Sequence, residues 1–220
     1  MKLFTLLLSA ITAYGADARQ WRSEFPADKK NLGATGSNPV FILEPGYTLH
    51  FEGRGVKMTM TVLNETKTVD GVETRVVEDR EEKNGKLDEV TRDYYAIDRL
   101  TGDVYYFGED AEVYDKTGKV TSRQGSWLSG VDGARFGLMI PGKPTAGDRF
   151  VQEHAPKQKA MDRSEVVSVN DKIKTPAGSY EKCLHMVDSS PLESATTHKW
   201  YAPGVGLVKD GKLVLVKIGK

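Results

Sequence analysis

The chain has 220 residues, with 31 Lys and Arg against 31 Asp and Glu, so its formal charge is zero. Mixed signs in balance give no electrostatic footprint for nucleic acid or anionic lipid. Cys183 is the only cysteine, which excludes an intramolecular disulfide and leaves stability to an apolar core.

Lys2 precedes an apolar run over residues 3–11, and small residues follow at Ala13-Tyr14-Gly15 and Ala16-Asp17-Ala18. This is the pattern of a secretory signal peptide. The run is too short to span a bilayer, which needs about 20 residues. No cysteine follows it to carry a lipid anchor. Residues 1–18 are therefore set aside, and a secreted or periplasmic protein without a transmembrane segment is expected. Residues 19–46, broken by Pro26, Gly33, Gly36 and Pro39, read as an irregular N-terminal arm. Residues 47–220 read as one antiparallel β domain.

Turn signals at Asp70-Gly71, Asn84-Gly85, Thr101-Gly102 and Thr117-Gly118 recur every 14 to 17 residues between alternating segments. That spacing predicts a meander of hairpins. Strands are expected over 47–52, 57–65, 73–83, 86–98, 104–108, 112–114 and 120–124. They resume over 149–154, 164–169, 180–188, 196–201, 206–208 and, after Asp210-Gly211, 212–218. A short helix could sit near 157–161. The fold class is all-β: an antiparallel meander forming a strongly curved sheet or a partly open barrel, with a long glycine-rich loop.

Side chains alternate along a strand, so Arg75, Val77, Asp79 and Glu81 share one face and Thr74, Val76, Glu78, Arg80 and Glu82 the other. Neither face is cleanly apolar. The hairpin is either solvated and laced with weak ion pairs or a charged strand lining a polar cleft. Tyr94 and Tyr95 lie on opposite faces, as do Tyr105 and Tyr106. Aromatics of this kind pack sheets or wall a ligand site with phenols to orient it. Glu109, Asp110, Glu112 and Asp115 make an acidic cluster, but alternation sends its carboxylates apart, which suits a charged edge better than a cation site.

Residues 125–147 hold six of the 22 glycines together with Trp127 and Arg135. Such a segment is either a flap over a ligand or an ordered crossover between two parts of the sheet. Of the histidines, His154 and His198 could meet across the sheet as an acid/base pair. Gln152 shares a face with His154 and Phe150, and Trp200 shares one with His198. Lys199 and Tyr201 point the other way. Ser126 lacks the second glycine of a nucleophile elbow. No pattern calls for a cofactor or a metal.

The stretches D-Y-Y-A-I-D-R-L-T-G-D-V-Y-Y-F-G-E, G-S-W-L-S-G-V-D-G-A, G-D-R-F-V-Q-E and K-W-Y-A-P-G-V-G-L-V-K resemble a group of secreted bacterial proteins of unknown function. The last is more distantly similar to curved-sheet envelope proteins of the lipoprotein-carrier kind, which bind apolar ligands in a concave sheet. The polar positions in these motifs are Asp93, Tyr95, Asp98, Glu109, Ser126, Trp127, Gln152, Glu153 and Tyr201, and the resemblance assigns them no role.

The expected function is a small-molecule or polymer ligand held in a concave sheet under the 125–147 segment. Tyr95, Tyr106, Trp127, Arg135, Gln152 and Trp200 are the candidate contacts. One alternative is a secreted hydrolase or lyase using His154 and His198. A second is a structural or partner-binding envelope protein.

Overall fold

A computed structural model describes residues 20–219. The expected signal peptide, 1–18, lies outside them. Among the described residues sixteen strands form one antiparallel sheet with essentially no helix. β1 (Leu32–Gly33) belongs to the N-terminal arm and pairs with β5. A meander then runs through β2 (Thr48–Gly53), β3 (Val56–Val69), β4 (Val72–Lys83), β5 (Lys86–Asp98) and β6 (Val104–Tyr114). A second meander runs through β12 (Arg163–Thr175), β13 (Gly178–Ser189), β14 (Thr196–Ala202), β15 (Gly206–Asp210) and β16 (Leu213–Gly219). β16 pairs with β2 and so joins the two.

The turns follow the dipeptides. Asp70 and Gly71 both have positive φ, as do Asn84 and Gly85. That is the two-residue type I′ turn, whose twist matches that of its strands. Arg54-Gly55, with φ of 50° and 80°, makes a further such turn between β2 and β3.

Between the meanders lie β7 (Val120–Ser122), β8 (Trp127–Leu128), β9 (Arg135–Ile140), β10 (Arg149–Val151) and β11 (Glu153–His154). The glycine-rich segment therefore takes the crossover form. Its β9 pairs with β6 and β11 and belongs to the wall. The expected helix near 157–161 is a turn closed by an Ala155–Ala160 bridge.

The sheet order starts at β10 and ends at β11, and only Gln152 separates those two strands in the chain. The sheet thus curls into a nearly closed barrel with one seam. At the seam β9 passes so close that a Cβ on Gly137 would stand 2.3 Å from the Val151 carbonyl oxygen and 2.5 Å from that of Gln152. The free edge of β10 is covered by the arm: Arg22 N–H donates to the Arg149 carbonyl, and Val151 N–H to that of Arg22, both at 2.9 Å.

The arm has two further roles. Phe25 meets Tyr105 edge-on at 5.9 Å, and Tyr105 and Phe107 pack on Phe136 outside the barrel. Farther along, Val40, Phe41 and Leu43 are buried. Phe41 and Leu43 pack with Tyr47, Leu49, Val62 and Val77, which makes one end of the interior apolar. Phe41 also meets Tyr95 edge-on at 5.0 Å.

Candidate ligand site in the barrel lumen

Above that apolar end the barrel encloses a cavity of about 250 Å³. Alternation explains its lining. Met58 and Met60 point in from β3, Asp79 from β4, and Thr91, Asp93 and Tyr95 from β5. On β6 both Tyr106 and Glu109 point in, although three positions apart. A bulge makes this possible: Asp93 pairs with Glu109 and Tyr95 with Tyr106, so two residues on β5 span three on β6. Gly108, with φ of 143°, sits in that bulge, and a Cβ there would stand 2.4 Å from the Trp127 carbonyl oxygen.

The seam adds Gln152 and Glu153, the return meander adds Asp188, Lys199, Tyr201, Leu207 and Asp210, and β9 adds Met139. Asp162, just before β12, completes seven lining carboxyl groups facing one lysine.

That imbalance sets the electrostatics. Lys199 Nζ lies 3.0 Å from Asp188 and 3.8 Å from Asp210. Burial opposes its charge, but the two carboxylates outweigh burial and raise its pKa. Asp93 is raised by burial, held back by hydrogen bonds and by Lys199, and titrates at about 6. Glu109 is pushed to about 9 by burial and then by Asp93 and Glu153. Glu153 is pushed to about 8 by burial and Asp162. Burial, followed by Asp93, also raises Asp79. Higher on the same strands Glu81 faces Glu89, and burial raises both.

Tyr106 provides a chemical check. Its hydroxyl donates to Asp93 Oδ1 at 2.7 Å and lies 3.1 Å from Glu109 Oε2. One hydroxyl has one proton. With that proton on Asp93, the second contact is a hydrogen bond when Glu109 carries a proton and donates it, which the upward push of burial on its pKa favours at neutral pH. Tyr95 stacks on Tyr106 at 5.0 Å. Glu153 Oε1 accepts from the Asp162 N–H at 3.3 Å.

The candidate contacts read from the sequence divide between two places. Tyr95, Tyr106 and Gln152 line the cavity. Trp127 stands behind it, buried and edge-on to Tyr106 at 5.4 Å. Arg135 and Trp200 are elsewhere. Arg135 is exposed on β9 and borders a groove with Phe136, Lys29 and Asp70. His154 stands opposite Arg135 in the β9–β11 pair, so Gln152 and His154 do not share a face; alternation breaks at the seam.

His198 meets His185, not His154: the rings are joined at 2.9 Å on the outer surface. His185 stacks on Trp200 at 4.2 Å, and Asp171 accepts from Trp200 Nε1 at 2.9 Å. Neither His154 nor His198 lines the lumen.

Within the acidic cluster only Glu109 lines the cavity. Asp110 receives Lys67 at 3.0 Å and Tyr94 at 2.5 Å, and Asp115 caps its own turn through the Thr117 N–H.

Sequence reasoning placed Lys199 and Tyr201 away from His198 but did not select them, and it overlooked Asp162, Asp188 and Asp210. A signal was present. Six of the nine polar motif positions line the cavity, namely Asp93, Tyr95, Glu109, Gln152, Glu153 and Tyr201.

No protein-family model matches the chain, and no curated protein matches it. Among solved structures it is similar to a "putative lipoprotein" from Parabacteroides distasonis. The two are 13% identical, with a TM-score of 0.40, over 83% of this chain and 99% of that one. Among the described residues no helix is long and apolar enough to cross a membrane.

Proposed function

We propose that the chain is an exported binding protein that holds a small molecule inside its barrel. One observation carries this reading: a cavity of about 250 Å³ whose wall converges buried polar groups from both meanders and the seam. Ligand sites are concave, with a few placed polar groups among apolar ones, and this volume lies near the lower end of their range, about 300 Å³. A protein that needed only a core would fill this space with side chains, because interiors pack as densely as organic crystals. The seven lining carboxyls hold little value for stability and cost free energy to desolvate. Trp127 buttresses Tyr106 from behind. Export rests on Lys2, the apolar run and the small residues up to Ala18, and a mature N-terminus at Ala16 or Arg19 in protein from the native host is its check.

The test fills the lumen. Fragment-sized molecules are screened for those that raise the melting temperature of the wild-type chain. The same molecules are then applied to Met139→Trp, whose indole would occupy the cavity. Hits should lose their effect in the filled variant. Hits that keep it would place binding elsewhere and end the lumen reading.

A second reading draws on one feature, the Asp93–Tyr106–Glu109 trio. Two carboxyls bridged by one hydroxyl, titrating at about 6 and about 9, make a base and an acid available together at neutral pH. In that reading Asp93→Asn abolishes turnover of whatever molecule the screen identifies. In the binding reading the molecule is recovered unchanged.

A further inference from the structure

Resting on the lumen reading, we infer that the ligand is a small organic cation, an ammonium group joined to a short apolar body. Charge gives the first argument. Lys199 is held between Asp188 and Asp210; among the described residues the other five lining carboxyls make no salt bridge, and Lys199 acts on Asp79, Asp93 and Asp162 only from a distance. Within this wall Glu109 and Glu153 hold their protons at neutral pH, and a molecule that enters with a positive charge supplies the counterpart that lets such acids ionise. A carboxylate ligand would add to the unpaired negative charge and hold them protonated. Lys199 already shows that the lumen accepts an ammonium.

Unmatched polar atoms give a second, independent argument. Gln152 is 4% exposed and faces the cavity. Among the described residues the only partner of its carboxamide is the Met139 sulfur at 3.4 Å, and a thioether is a weak acceptor. Its oxygen is left without a donor. Asp79 Oδ1 is likewise buried without a partner. The Gln152 oxygen accepts, and an Asp79 ionised beside a cation accepts as well, so a cationic ligand that brings donors satisfies both. An ammonium brings three and accepts none.

The rest of the lining describes the apolar body. Phe41, Met58, Met60, Met139 and Leu207 line the same cavity. Methionines adapt to irregular shapes, and the stacked Tyr95 and Tyr106 offer aromatic faces to a cation. A lumen of about 250 Å³ has room for several waters, which suits an amine on one ring or a short chain.

Three probes of matched shape test the inference on the wild-type chain by calorimetric titration: phenethylamine, 2-phenylethanol and 3-phenylpropionate. The amine should bind at least tenfold more tightly than the alcohol, and the acid should bind more weakly than either. In Asp79→Asn/Glu109→Gln the preference for the amine should fall below threefold while the alcohol keeps its affinity. If that variant does not fold, the wild-type series decides alone. An alcohol that binds as tightly as the amine, or an amine that does not bind, overturns the cation. The lumen reading itself then stands or falls on the Met139→Trp screen, so the two failures are told apart.

Discussion

Replacing Glu153 by Gln tests the electrostatics of the lumen directly. Glu153 is 6% exposed, and its pKa rises from 4.5 to about 8, first through burial and then through Asp162. In the unfolded chain this carboxyl loses its proton near 4.5, whereas in the folded chain it keeps it up to about 8. Between those values the folded state binds more protons than the unfolded one. Stability then falls as pH rises, by about 1.4 kcal/mol per pH unit from this one group. The contribution is fully present below pH 4.5 and exhausted above pH 8. From pH 5 to pH 8 the loss comes to roughly 3 kcal/mol, a large part of a typical domain's 5–15 kcal/mol. Gln has the shape of the protonated acid and does not titrate. Its oxygen can still accept from the Asp162 N–H, as Glu153 does. Urea unfolding of wild type and variant, followed by tryptophan fluorescence at pH 5, 6.5 and 8, measures the difference. The variant should gain on the wild type as pH rises, by roughly 3 kcal/mol over this range. A difference between the two that stays constant with pH would refute the burial of an uncharged Glu153.

Three further outcomes are expected. Gly137→Ala places a Cβ against the Val151 and Gln152 carbonyls at the seam; it should cost at least the 1–3 kcal/mol usual for overpacking, measured by thermal unfolding. Phe41→Ala removes the side chain between the lumen and the apolar end and its edge-on contact with Tyr95, so about 3–5 kcal/mol should be lost in denaturant titration. On the outer surface, burial lowers the pKa of His185, which stacks on Trp200. Trp200 fluorescence should therefore fall as the imidazole gains a proton at a pH below the ordinary histidine value of about 6.5, and the step should vanish in His185→Ala. A step at or above that value would contradict the burial of His185.

Much of the fold was legible because hairpin chemistry is local. A type I′ turn needs two residues at positive φ, and Asp70-Gly71 and Asn84-Gly85 announce this in two letters. Arg54-Gly55 makes the same turn, but arginine at its first position gives no such cue. Closure was not legible. The single strand expected over 149–154 is split at Gln152 into β10 and β11, of three and two residues, and what sets this seam is the close approach of Gly137 to the Val151 and Gln152 carbonyls, which no alternation encodes. The strand β9 was hidden for a similar reason: Arg135, Phe136, Gly137, Leu138 and Met139 do not alternate, because β9 is covered on both sides, by Phe107 outside and by the lumen residues inside.

The site was legible by halves. Period two separates Lys199 and Tyr201 from His198 and Trp200, and Asp79 and Glu81 from Glu78 and Arg80, and the structure keeps both partitions. Alternation sorts residues into faces but does not say which face is inside. That decision normally comes from polarity, and here polarity misleads. The inner face of β4 carries Asp79 and Glu81, while the outer surface of β14 carries His198 and Trp200, which look more like chemistry. A sheet that turns its acids inward breaks the rule that relates sequence to burial. Such exceptions concentrate at functional sites, where consistency with the fold is given up for something else. Lys199 bears this out physically. Its ammonium is inside because Asp188 and Asp210 are inside, and these in turn are tolerable because Lys199 faces them. No such mutual account covers Asp79, Glu109 or Glu153, whose pKa values rise instead. The uncompensated acids, and not the aromatic pairs or the histidines, mark where the barrel departs from what folding alone requires.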